Sequence, residues 1–131
     1  MDKLIITSCA ADCSIYPNMP VRLEQSDALA AEVEAAWRAG AAIAHIHAPP
    51  VDYAAWASHT RAIRERCAVL IQYGISIQSV EQRREVVKNS PEMISVALGA
   101  HNLAFEGRDL MKLHPREELA ELMRICRDNA V

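Results

Sequence analysis

The stretch Ala41-Ala-Ile-Ala-His45-Ile46-His47-Ala-Pro49-Pro50 decides how this chain is read. It follows Arg38-Ala39-Gly40, the end of a helical pattern, and its apolar core reads as a β-strand carrying two histidines at i and i+2. Side chains two apart on a strand share a face, so His45 and His47 point the same way. Zinc binds neutral imidazole nitrogens at about 2.0–2.1 Å, and a catalytic zinc takes three protein ligands and keeps one position open. Two histidines on one strand face are two of those three. The Pro49-Pro50 pair ends the ladder, because proline has no N–H to donate. That puts the histidines at the C-terminal end of a strand, where parallel α/β proteins place their chemistry. Histidines at this spacing also occur as ordinary, partly buried residues with hydrogen-bonded partners, and H-x-H alone is a weak motif. Both readings stay open on spacing alone.

Outward from this strand the chain alternates short apolar runs with helical patterns. Leu4-Ile5-Ile6-Thr7-Ser8 is a buried-strand candidate, followed by a loop of about 17 residues containing Pro17 and Pro20. A helix is expected from Ser26-Asp27, whose side chains suit the free N–H groups of a first turn. Leu29, Val33 and Trp37 fall on one of its faces, and Gly40 closes it. After the histidine strand, Tyr53, Trp56, Thr60, Ile63 and Cys67 mark a second helix with Arg61, Arg64 and Glu65 outside. Ala68 to Tyr73 is a third strand, running into Gly74-Ile75-Ser76. A third helix fits Val80 to Lys88, with Glu81, Arg83, Arg84 and Glu85 outside, and Asn89-Ser90-Pro91 breaks it. Met93 to Leu98 is a fourth strand, ending at Gly99. The segment from Ala100 to His114 reads as a long loop, either an active-site loop or a loosely ordered one. Pro115 suits the first position of a fourth helix, with Glu117 and Glu118 at its positive end and Arg124 and Arg127 at its negative end. Leu119, Leu122, Met123 and Cys126 are its apolar stripe.

Four strand-then-helix units predict an α/β fold with parallel strands and right-handed crossovers. Two closures are open to such units: a doubly wound sheet, or a (β/α)8 barrel. A barrel takes about 250 residues, so four units would be half of one. The histidine strand favours the barrel, whose inward side chains surround a polar pocket at the strand tops, whereas a sheet covered by helices on both sides has two dry faces.

Composition excludes other classes. The 131 residues are one domain's worth of chain, enough to bury a core. The formal net charge of -3 provides no basic field for nucleic acid or an anionic membrane. The apolar run at the N-terminus is too short for a signal peptide, and no run reaches membrane-spanning length, so a cytoplasmic location is expected. Cys9, Cys13, Cys67 and Cys126 form no C-x-x-C pair and are read as thiols serving as small apolar residues.

The order Leu4-Ile-Ile-Thr7, Pro17-Asn-Met-Pro20, Ala39-Gly40-Ala41-Ala42-Ile43-Ala44-His45-Ile46-His47, Pro91-Glu92-Met93-Ile94-Ser95 and Leu113-His114-Pro115-Arg116-Glu117-Glu118-Leu119 resembles the β-keto acid cleavage enzymes, the group that includes 3-keto-5-aminohexanoate cleavage enzyme. The resemblance covers essentially the whole chain. It implies the N-terminal half, (β/α)4, of a TIM (β/α)8 barrel, with residues 1–131 a single domain. It implies a zinc-dependent transferase that reacts a small-molecule β-keto acid with acetyl-CoA to give acetoacetate and a new acyl-CoA. The metal ligands it implies here are His45 and His47. The third ligand of the family is a glutamate far downstream, which no position of this sequence matches. The catalytic acid/base groups are likewise expected downstream of Val131, the last residue of the sequence. The chain is therefore expected to be an N-terminal piece of a longer enzyme, or to pair with a complementary C-terminal half or a copy of itself. A local departure is Pro49, where many relatives carry an arginine.

Other strand tops supply further candidates. Gly74 and Ser76 offer backbone N–H groups and a hydroxyl for a substrate carboxylate, or form a plain βα turn. By resemblance, Asn102 is a substrate contact, and Asp12 and Ser14 sit where relatives have polar active-site groups. His59 and His114 read as surface or capping residues, and His101 as a loop residue or a ligand. Two competing functions are a non-catalytic or truncated half-barrel that associates through open strand edges, and another metal-dependent TIM-barrel lyase or aldolase.

Overall fold

The computed structural model describes residues 4–10, 21, 24–49, 51–95, 97–105 and 108–131. Asp12, Cys13, Ser14, Pro17, Pro20 and Pro50 lie outside the described residues.

Four short strands, β1 (Thr7–Cys9), β2 (Ile43–Ile46), β3 (Leu70–Gly74) and β4 (Met93–Ser95), form one parallel sheet in the order β1-β2-β3-β4. The order follows the chain without the reversal that marks a doubly wound sheet. The helices α1 (Ser26–Arg38), α2 (Tyr53–Arg64), α3 (Val80–Val87) and α4 (Arg116–Asp128) alternate with them. Successive helices pack on one another, α1 on α2, α2 on α3 and α3 on α4. The α/β class expected from the pattern is the one observed.

Strand alternation separates the two faces of the sheet. Ala44, Ile46, Ile71 and Tyr73 are buried and share one core cluster with Leu29, Val33, Trp56, Ile63, Val86, Leu122 and Ile125 from the helices. The opposite face carries Ile43, His45, Leu70 and Gln72, and Leu70 is 46% exposed. Among the described residues, one sheet face is therefore covered by helices and the other is open.

Local chemistry sets the element ends. Gly40 follows α1 with φ 109°, a left-handed conformation that only glycine adopts freely. Asp52 caps α2 by accepting from the Ala55 N–H at 2.9 Å. Ser79 and Gln82 form a reciprocal capping box at the start of α3. After α4, Val131 folds back onto the core, its N–H donating to the Cys126 carbonyl at 3.0 Å.

Several expectations are corrected. Leu4, Ile5 and Ile6 are exposed rather than buried, because they precede β1 at the sheet edge, beyond the cover of the helices. Ser26 starts α1 but does not cap it; its hydroxyl instead bonds His59 Nδ1 at 2.8 Å, joining α1 to α2. Trp37 on α1, Tyr53 on α2 and Met123 on α4 are exposed, since the apolar stripes run past the edges of the core, and Ile125 takes the buried position on α4. Arg83 of α3, expected outside, is 1% exposed. His59 and His114 are interior, not surface, residues. The fourth strand stops at Ser95, and Leu98 is exposed. The expected loop from Ala100 to His114 is instead an antiparallel ribbon of β5 (Gly99–Phe105) and β6 (Arg108–His114), which among the described residues pair only with each other.

Candidate metal centre

The parallel register carries one row of side chains across the open face. Cys9 on β1 is opposite His45 on β2, His45 is opposite Gln72 on β3, and Gln72 is opposite Met93 on β4. Paired residues in a parallel sheet point to the same face, so this row is fixed by backbone hydrogen bonding. His47 extends the face just past the last residue of β2, where the backbone is free of the ladder.

The two histidines converge. Their Nε2 atoms are 3.1 Å apart and their rings meet edge to face, with centroids 4.9 Å apart and planes at 75°. Two nitrogens bound to one tetrahedral zinc at about 2.0–2.1 Å are roughly 3.3–3.4 Å apart, so the spacing suits a shared cation. His45 Nδ1 lies 2.8 Å from Gln72 Oε1. An amide oxygen only accepts, so Nδ1 carries the hydrogen and Nε2 keeps its lone pair turned to His47.

Gly74 makes the room for them. A Cβ built there would lie 2.2 Å from His47 Cε1, 2.6 Å from His47 Nε2 and 2.7 Å from His45 Nε2. No side chain of any size fits that position beside the imidazoles. The sequence suggests Gly74 as a source of backbone N–H groups; its structural contribution is the absence of a side chain.

Electrostatics keep His47 neutral. Burial, then the neighbouring His45, lower its pKa from 6.5 to about 4, partly offset by the Gly74 backbone. At neutral pH this imidazole is uncharged, the form that ligates metals.

The remaining candidates separate. Ser76 lies just past Gly74 in the β3–α3 turn, where its carbonyl accepts from Arg83 Nη2 at 3.0 Å. Asn102 sits on β5, exposed and paired with Met111, in the ribbon and not in the sheet that holds the histidines. His101 belongs to the same ribbon, opposite Lys112. Ser14 and Asp12 lie outside the described residues. Among the described residues no group of three or more His, Cys, Asp or Glu comes together as a complete metal site. The catalytic groups are expected downstream of Val131, which itself packs against the core.

Gln72 is the residue that sequence reasoning passed over. Its signal is a single polar side chain inside the apolar run Val69-Leu70-Ile71-Gln72-Tyr73, at the position that register places beside His45.

No curated protein matches the chain. A strand-borne imidazole pair, a glycine that clears space for it and repeating βα units account for the motifs along the sequence, and since the family model for beta-keto acid cleavage enzyme matches residues 5–131, the chain belongs to that family.

Proposed function

We propose that this chain is the N-terminal half of a zinc-dependent β-keto acid cleavage enzyme, a (β/α)8-barrel transferase that uses acetyl-CoA and releases acetoacetate and a new acyl-CoA. The observation that carries the reading is the pair of Nε2 atoms 3.1 Å apart on the open sheet face. A half-barrel is supported by the unreversed strand order and by the consecutive packing of helices against one side only. The open face is then the wall of the barrel interior.

His45 and His47 would hold zinc. Bound there, zinc would supply Lewis-acid polarisation of the substrate's keto oxygen. Gln72 holds the His45 tautomer by accepting its Nδ1–H. Ser76, at the top of β3, takes the substrate carboxylate with its hydroxyl and the turn N–H groups, and Asn102 and Ser14 are further substrate contacts. A third protein ligand, the glutamate of the family resemblance, and the acid/base groups come from a complementary C-terminal half that continues the barrel beyond Val131; a second copy of this chain is the competing partner. The compartment is the cytoplasm, consistent with the fact that no helix among the described residues is long and apolar enough to cross a membrane.

The test is metal analysis and a coupled assay. The purified chain is expected to take up zinc, and together with the complementary half to form acetoacetate from acetyl-CoA and a β-keto acid. Retention of full activity after His45→Ala and His47→Ala overturns the reading. Zinc-dependent turnover without any need for acetyl-CoA would point to a lyase or aldolase on the same frame.

A further inference from the structure

Arg83 lies on α3, yet it is 1% exposed and aimed back at the turn that follows β3. Its Nε donates to the Ile75 carbonyl at 3.2 Å and its Nη2 to the Ser76 carbonyl at 3.0 Å. Its Nη1 faces Glu118 Oε2 of α4 at 3.5 Å. These two facing atoms are buried and have no other hydrogen-bond partner among the described residues, so each is the other's only compensation. The Ile75 carbonyl also accepts from the Gln78 N–H at 3.3 Å. One guanidinium thus fixes two successive carbonyls of a five-residue turn and ties them to the next helix.

The turn begins at Gly74, whose backbone is the surface against which both imidazoles rest. No peptide bond among the described residues is cis, and a trans peptide directs its C=O and N–H oppositely. Holding the Ile75 and Ser76 carbonyls toward the guanidinium therefore turns the N–H groups of Ser76 and Ile77 to the other side. The same two hydrogen bonds hold the turn that follows Gly74 and set the direction of the N–H groups of Ser76 and Ile77.

We propose that Arg83 is a positioning residue of the His45–His47 site, acting through the Gly74–Gln78 turn, with Glu118 as its counter-charge. The inference rests on the metal-centre reading above. Arginine is required rather than a generic cation, because only its planar fork reaches two carbonyls and a carboxylate at once.

The test compares Arg83→Lys, Glu118→Gln and a control, Arg84→Lys, on the neighbouring exposed arginine. Two readouts are taken on the full chain: zinc affinity by calorimetry with zinc alone, and long-range ¹H–¹⁵N spectra of the imidazoles in the metal-free protein. Arg83→Lys is expected to shift the His45 and His47 ring signals and to weaken zinc by about 10-fold or more, with unchanged far-UV circular dichroism. Glu118→Gln is expected to shift the same signals by less, and Arg84→Lys to leave them alone. A folded Arg83→Lys protein with unaltered imidazole spectra overturns the proposal. If Arg83→Lys does not fold, Glu118→Gln decides, and unaltered ring signals there overturn it. A wild-type chain that takes no zinc removes the metal-centre reading, while the metal-free imidazole spectra still judge the role of Arg83.

Discussion

Gly74 gives the sharpest test at the scale of single residues. Gly74→Ala puts a methyl carbon 2.2 Å from a ring carbon of His47, so the ring or β3 must move. Overpacking of this kind costs about 1–3 kcal/mol, and zinc affinity should be lost with it. Adding His47→Ala to Gly74→Ala should recover part of the urea midpoint but not zinc binding, since His45 Nε2 still lies 2.7 Å from the new carbon; a midpoint with no recovery would show that the clash lies elsewhere. His47 also makes a pH prediction. Its pKa is about 4 when folded and ordinarily 6.5, so between those values the unfolded chain binds a proton that the folded chain does not. Metal-free stability should therefore fall as pH drops from about 6.5 to about 4, by on the order of 1–2 kcal/mol for a ring that is partly exposed. Urea titrations across that window should show the slope, and His47→Ala should flatten it. His45 and His47 were legible from spacing, because period two is a property of any strand. Gln72 and Arg83 were not, because a polar residue in a strand and an arginine on a helix look solvated until register and packing show what they face.

At the scale of elements, each helix was legible from its apolar spacing and most of its end signals. The capping box of α3 combines Gln82 N–H to Ser79 Oγ at 3.3 Å with Ser79 N–H to Gln82 Oε1 at 2.8 Å. Ser79→Ala should cost about 1 kcal/mol in chemical denaturation, with no new cavity to add to it. The segment Ala100 to His114 reads as loop in the sequence, because its strands lack an unbroken apolar run and their pairing is with each other. A two-stranded ribbon standing apart from a sheet is marginal on its own. Met111 and Leu113 of β6 are exposed to solvent. Hydrogen exchange should therefore be faster in β5 and β6 than in β2 and β3, and protection of the ribbon equal to that of β3 would contradict this description.

At the scale of the whole molecule, the described residues form a sheet covered by helices on one side. Leu70 on the open face is 46% exposed, although its neighbour Ile71 is fully buried. If this face docks the partner proposed above, Leu70→Lys should reduce association in sedimentation velocity while leaving the helical face and its stability nearly intact. An association state indifferent to Leu70→Lys would place the partner elsewhere. By itself the sequence determined the βα repeat, the parallel class and the shared direction of the two histidines, since periodicity, breakers and strand alternation are local properties of the chain. Only the tertiary structure decided that Gln72 stands beside His45, that Gly74 clears space for both rings and that Arg83 turns inward. Those facts depend on register between strands and on helix packing, where residues far apart in sequence meet and no local pattern announces the contact.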